Sequence, residues 1–256
     1  MEVSKGQENS TERYKYYGKT EITGDVVQKT ATNATQLGLE RLNPRLTNPD
    51  FLVYHERKKQ FTRWLEDVSG EHLRVLDVGG RIQPYRPLVE NRLEQYVAID
   101  PQLEGLLDAV ATGEQIPFRE NTFDIVFCTQ VLGYVSDPSK VIAEMHRVLR
   151  PGGVLILSAP ALFPQHHDER WRFLREGYSV LMEPFSAIEV VPEGYSIAGF
   201  IRTLNVCVGF LASPAFLYQI VSHTVVPALN VSGLVLDALS FKSERLTTNY
   251  SVLARK

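Results

Sequence analysis

The sequence is poor in the residues that would make it a secreted, metal-clamped or strongly charged protein. It has two cysteines, Cys128 and Cys207, in 256 residues. Two thiols without regular spacing support neither a disulfide framework nor a Cys-rich zinc site, and they fit a reducing, cytoplasmic compartment. No strong metal-ligand pattern is present. The N-terminal stretch is polar and lacks the apolar run of about 7 to 15 residues that an export signal needs. An excess of one charge is also missing: the formal net charge is -3, so no electrostatic footprint for nucleic acid is expected. The chain has no internal repeat. Locally the deficit is sharper, because Thr203 to Leu236 contains no Asp, Glu, Lys or Arg.

What is present is ordinary for a globular α/β chain, with 44% apolar and 22% charged residues. A chain of this length buries roughly three quarters of its unfolded surface in one core. Residues 1–45 are rich in small and polar residues with little periodicity, and the expectation is a flexible N-terminal arm followed by a single domain over 46–256. Helical spacing of Phe51, Leu52, Phe61, Trp64, Leu65 and Val68 predicts a helix over Asn48–Val68, with Asn48 as cap and Pro49 in the first turn. The Glu-Arg-Lys-Lys run at 56–59 reads as the wet face of that helix.

Short apolar runs at 74–78, 95–100, 107–111, 123–129, 154–158, 187–191 and 250–254 read as strands alternating with helices, which predicts a largely parallel sheet. The clearest helix runs over 138–149, capped by Asp137, with Pro138 in its first turn and Pro151-Gly152-Gly153 ending it. The charge-free segment predicts two or three apolar helices inserted over about 194–241. Its length passes the about 20 residues that span a bilayer, although Asn205, Gln219, His223 and Asn230 interrupt it. A span, a membrane-surface cover through 203–236 and plain core or dimer helices all remain open.

The run VLDVGG at 75–80 is a strand ending in an acid and a tight glycine turn, where an open α/β sheet receives a ligand. Asp100 closes the next strand, YVAID; a carboxylate there can accept hydrogen bonds from both hydroxyls of a ribose. No G-x-G-x-x-G follows the first strand, so a nicotinamide pyrophosphate cradle is missing.

Together with GEQIPF at 113–118, FDIVFCTQVLGYV at 123–135 and RVLRPGGVLILSAP at 147–160, these residues resemble the type 11 branch of class I S-adenosylmethionine-dependent methyltransferases. The resemblance implies a Rossmann-like, seven-stranded, mostly parallel sheet with helices on both faces and the last strand antiparallel, and S-adenosylmethionine as cofactor. Asp77, Gly79 and Gly80 would border its methionine end, Asp100 would hold the ribose, Gly113, Glu114, Gln115 and Ile116 would flank the adenine, and Thr129 and Gln130 would sit beside the sulfonium. The chain departs from the family's D-x-G-x-G-x-G loop, with Arg81 and Gln83 in place of glycines. Thr112 stands where an acid commonly meets the adenine amino group, and Gly133-Tyr134 where a Glu-His pair is often found.

The short link from Asp100 to Gly113 resembles a subset of the family associated with cell-surface glycans, which implies a small-molecule or glycan acceptor. His166, His167 and Asp168, just beyond the fifth strand, are the candidate catalytic residues, since a neutral histidine can take a proton at pH 7; a solvated loop role reads equally well for the histidines. Trp171 and Phe173, beside Arg172, suit either packing or a sugar platform. The functional readings are a methyltransferase and, as the alternative, a non-catalytic binding or scaffold protein that kept the fold.

Overall fold

The computed structural model describes residues 24–164, 168–211 and 215–256. Seven strands form one sheet: β1 (Leu73–Val78), β2 (Leu93–Asp100), β3 (Ala109–Val110), β4 (Phe123–Thr129), β5 (Leu149–Pro160), β6 (Ala187–Pro192) and β7 (Asn249–Arg255). The order is β3-β2-β1-β4-β5-β7-β6. β1 to β5 pair in parallel, and β7 runs antiparallel to both β5 and β6. The expected mostly parallel sheet is therefore present, with its final strand reversed.

The apolar runs form strands because both faces of the sheet are covered. On β4, Ile125 and Phe127 face one layer with Phe61 and Trp64 of helix α2 (Phe51–Glu66), while Val126 and Cys128 face the other with Val141, Ile142 and Met145 of helix α3 (Pro138–Val148). α3 begins as expected: Asp137 accepts hydrogen bonds from the amides of Ser139 and Lys140, and Pro138 fills a first-turn position whose amide would have no helical partner. Pro151-Gly152-Gly153 does not separate helix from strand. It lies within the first residues of β5, with Pro151 and Gly152 exposed, Gly153 buried and Gly152 at φ +77°. Helix α4 (Arg175–Leu181) completes the α3 side.

Three expectations need correction. Residues 24–42 of the presumed arm form helix α1 (Gly24–Leu42), while residues 1–23 lie outside the described residues. α1 docks through small side chains: Ala34 is buried, and a Cβ on Gly38 would come within 2.1 Å of the Ile82 carbonyl oxygen. Large apolar residues make helical periodicity visible, so this helix gave little signal. Second, α2 starts at Phe51, because Asn48 Oδ1 accepts from the Asp50 amide at 2.8 Å and closes a turn instead of capping. Asp50, at the cap position, spends its carboxylate on Arg202 at 2.8 Å.

Third, the 56–59 run is not all wet. Arg57 is 1% exposed and reaches Glu193, just past β6, through two hydrogen bonds, Nε to Oε1 at 2.9 Å and Nη2 to Oε2 at 2.8 Å. Glu193 also accepts from Ser158 Oγ of β5 at 2.5 Å and from Ser251 Oγ of β7 at 2.6 Å. Arg57 Nη1 donates to the Tyr85 hydroxyl at 3.3 Å.

Between β6 and β7 lie two helices of the expected insertion, α5 (Ser196–Leu211) and α6 (Ala215–Leu239), with Pro227 inside α6. α6 comes close to α2, since a Cβ on Gly233 would lie 2.7 Å from Leu52 Cδ1. Asn205 and Asn230 join the two insertion helices at 2.9 Å.

Removing one partner of a buried ion pair strands the other charge. Arg57→Met should lower the unfolding free energy by about 3–5 kcal/mol, read as a drop in the urea midpoint, whereas Lys59→Met on the exposed face should leave it within about 0.5 kcal/mol.

Candidate active site

The carboxyl ends of β1, β2 and β4 meet at one edge of the sheet, and the parallel register decides which side chains converge there. Asp77 pairs with Ala98, so Tyr96, two residues earlier on β2, lies on the same sheet face as Asp77. The Tyr96 hydroxyl donates to Asp77 Oδ2 at 2.7 Å. Asp77 is buried, and burial pushes its carboxyl up to about 7; the Tyr96 hydrogen bond pulls it down and the nearby Asp100 charge raises it. Nothing in the sequence pattern marked Tyr96, although its even spacing from Ala98 was a usable signal.

Gly79 takes φ +79° and donates its amide to the Ile99 carbonyl at 2.7 Å. A side chain there would collide with Val131 at 2.2 Å, and one on Gly80 would strike Asp77 itself at 2.7 Å. Gly79 is thus demanded by the close approach of the chain after β4, and Gly80 by Asp77 of β1 and Ala98 of β2.

Asp100 stands at the end of β2, where Oδ1 accepts from the Gln102 amide at 2.9 Å and Oδ2 lies 3.5 Å from Arg81 Nε. Arg81 also reaches Gln102 Oε1 at 2.7 Å. The residue replacing a family glycine therefore sits against the carboxylate expected to hold ribose. Gln83, the second replacement, has φ +41° and donates from Nε2 to the Leu106 carbonyl at 2.5 Å.

Of the 113–116 segment, Glu114 Oε1 accepts from the Ser136 amide at 2.9 Å, the Gln115 amide donates to Thr112 O at 3.2 Å, and buried Ile116 is tied through its amide to Glu144 at 2.9 Å. Gly113 lies over α3, where a Cβ would come within 3.0 Å of Val141. Thr129 ends β4, paired with Ser158. Gln130 follows with φ +60° and donates from Nε2 to Ser158 Oγ at 3.0 Å. The same hydroxyl donates to Glu193, so the buried Arg57 pair reaches the cleft edge through Ser158 and Gln130. Sequence reasoning missed this connection because its members are contributed by four separate elements.

His166 and His167 lie outside the described residues. Asp168 is exposed. The chain after it is held on the loop following Gln130: the Arg170 amide donates to Gly133 O at 2.6 Å, and Trp171 Nε1 donates to Val135 O at 3.0 Å. Glu169 pairs with Arg172, and the nearby Tyr134, an exposed residue, has its phenol pushed up by partial desolvation and by Glu169. Phe173 is buried in the core, whereas Trp171 is 43% exposed. The platform reading stays open for Trp171, and Phe173 is a packing residue.

The strand ends supply a cofactor-sized set of groups. A carboxylate at the β2 end fits a ribose diol, and a Cβ on either Gly79 or Gly80 would clash with its neighbours at the β1 turn. The diol would share Asp100 with Arg81. A separate cavity of about 480 Å³ lies between α1 and the loop after β1, lined by Gly38, Ile82, Gln83 and Leu106; it is off the strand ends.

Sheet order, the acid-ended strands and the reversed β7 define the class: a Rossmann-like methyltransferase fold. Residues 76–157 match the family described as a methyltransferase domain. A human thiol S-methyltransferase is 31% identical over 113 residues, covering 40% of this chain and 46% of that protein. An uncharacterized methyltransferase of Mycobacterium tuberculosis is 38% identical over 125 residues, covering 44% and 47%. The chain thus spans less than half the length of these curated relatives. Among solved structures, a phosphoethanolamine N-methyltransferase of Haemonchus contortus in complex with S-adenosyl-L-methionine superposes with TM-score 0.52 and 16% identity, covering 86% of this chain and 60% of that one. That likeness concerns the fold.

The raised Asp77 carboxyl has a stability consequence of definite sign. The native state keeps a proton that the unfolded chain loses near pH 3.9, so the stabilisation is full below that pH and is lost as pH rises to about 7. Asp77→Asn, which cannot ionise and still accepts from Tyr96, should gain on the wild type by up to about 4 kcal/mol between pH 4 and pH 7. Urea unfolding of both proteins across that range measures the difference, and a constant gap would contradict it.

Proposed function

We propose that the protein is an S-adenosylmethionine-dependent methyltransferase acting on an oxygen of a saccharide or lipid-linked glycan. The observation that carries the cofactor reading is the pair of acids at adjacent strand ends, Asp77 on β1 and Asp100 on β2, within the segment matching a methyltransferase domain. The methionine end would border Asp77, Gly79 and Gly80, the ribose would meet Asp100, the adenine would lie along Gly113, Glu114, Gln115 and Ile116, and the sulfonium would face Thr129 and Gln130.

The bound cofactor supplies an electrophilic methyl group, so the protein's work is alignment and exclusion of water. Gln130, fixed by Ser158, sets the floor beside the reacting centre. Bound cofactor would supply the methyl group and leave as the thioether, and Asp168 with His166 and His167 is the set proposed to take the proton that the acceptor hydroxyl would lose. The glycan assignment is supported by the exposed Trp171, whose indole N–H donates to the Val135 carbonyl, because an anchored, exposed aromatic face suits a sugar ring. The named activities of similar proteins include thiol and phosphoethanolamine methylation, so sulfur and nitrogen acceptors belong in the same screen.

One observation favours a second reading, a binding protein with a retired site: Arg81 lies 3.5 Å from Asp100. Calorimetric titration with S-adenosylmethionine and S-adenosylhomocysteine separates the two. Micromolar binding is expected, weakened at least about tenfold in Asp100→Ala through loss of the charged acceptor. Arg81→Gly should tighten binding by up to about fivefold, the scale of an exposed ion pair. A wild-type chain that binds neither ligand at millimolar concentration would leave the scaffold reading.

A further inference from the structure

Helix α6 is built inside out. Its buried positions, Ser222, Val226, Asn230 and Gly233, are mostly small or polar, while Leu217, Ile220, Val225, Val231, Val235, Leu236 and Leu239 are exposed. A surface helix of a water-soluble domain shows the reverse arrangement. The inward face is committed to the domain: Asn230 Nδ2 donates to the Leu46 and Asn48 carbonyls at 2.7 and 2.9 Å, and Asp237 accepts from the Tyr195 and Ala198 amides at 2.9 Å each. The helix therefore presents one flank only.

Several described polar side chains of α6 turn back onto their own helix. Thr224 Oγ1 donates to Ile220 O at 2.7 Å, Ser232 Oγ to Ala228 O at 2.8 Å, and His223 Nδ1 lies 2.9 Å from Gln219 O. Hydroxyls folded back on their own helix are what a low-dielectric exterior requires, since no water is there to satisfy them. At the C-terminal end of the stripe come Phe241, 96% exposed, and the exposed cations Lys242 and Arg245. The neighbouring Glu244 is neutralised by Arg175, so the rim is basic. An aromatic and two cations at the edge of an apolar face are placed as at a membrane–water boundary.

We propose that the outward face of α6 lies in the surface of a bilayer containing anionic lipid, with Phe241, Lys242 and Arg245 at the headgroups. The stretch Gln219–Leu239 is long and apolar enough by composition to cross a membrane, but its inward hydrogen bonds hold it against the domain, so it lies along the interface. This surface is independent of methyl transfer and stands or falls by itself.

The test uses the full chain with vesicles of phosphatidylcholine alone and of phosphatidylcholine mixed with phosphatidylserine, separated by sedimentation. The chain should pellet with the mixed vesicles, less so at high salt. Lys242→Glu with Arg245→Glu should lower the partition coefficient at least about thirtyfold. Val231→Asp with Val235→Asp, at exposed positions, should abolish pelleting with circular dichroism and melting temperature unchanged. A chain that stays in the supernatant with both vesicle types overturns the proposal. So does a dimer in analytical ultracentrifugation that the valine variants dissociate while vesicle binding is absent, which would make a second copy the occupant.

Discussion

The buried Arg57–Glu193 pair is the constraint around which the molecule is organised. Two charges with 1% exposure each cost several kcal/mol apiece to desolvate, and mutual attraction offsets that only when the remaining donors and acceptors are also satisfied. Here they are, by Tyr85, Ser158 and Ser251. The satisfied set joins α2 to β5, to β7 and to the residue after β6, and so fixes α2 against the reversed strand. Moving α2 on the sheet would separate the two charges and leave each buried and unpaired, so the pair constrains how α2 packs.

From that pair the constraint runs outward to the site. Ser158 accepts from Gln130 and from Asn249 Nδ2 at 2.9 Å while donating to Glu193, so its hydroxyl is fully used and cannot rotate freely. Gln130 is consequently held in a left-handed backbone conformation that a non-glycine residue adopts at a cost of about 1 kcal/mol. Strain of this kind at the end of β4 persists because the surroundings over-determine it, and it places a polar backbone turn where the fold receives ligand.

The strands were legible in the sequence because both sheet faces are buried, which makes β1, β4 and β5 continuous apolar runs, and α3 because Asp137, Pro138 and its apolar stripe agree. What escaped notice shares a physical cause. Arg57 sits in a charged run on α2, and no local pattern distinguishes the one charge whose partner lies 136 residues away. α1 docks through Ala34 and Gly38, whose contribution is closeness of approach rather than hydrophobic area. For α6 the composition was plain but its orientation was not: a charge-free helix reads the same whichever face turns inward, and only the positions of Asn230 and Asp237 settle it. At the site, Asp77 and Asp100 were found by strand-end logic, while Tyr96 needed the register.

The departures from the family's glycine loop can be argued the same way. Gln83 takes φ +41°, the region a glycine would occupy at no cost. Its amide donates to Leu106 O, and its Oε1 accepts from Arg86 Nη1 at 3.1 Å; two hydrogen bonds of about 1 kcal/mol each offset a conformational penalty of similar size. Arg81, in its turn, bridges the loop to Gln102 and Asp100, and Gly105 is packed so closely that a Cβ would lie 2.3 Å from the Arg81 carbonyl oxygen. The loop thus keeps a turn by side-chain pinning where glycines would keep it by freedom. Loss of two glycines is then no evidence for loss of the turn, and the quantity that has changed at this site is the electrostatic environment of Asp100.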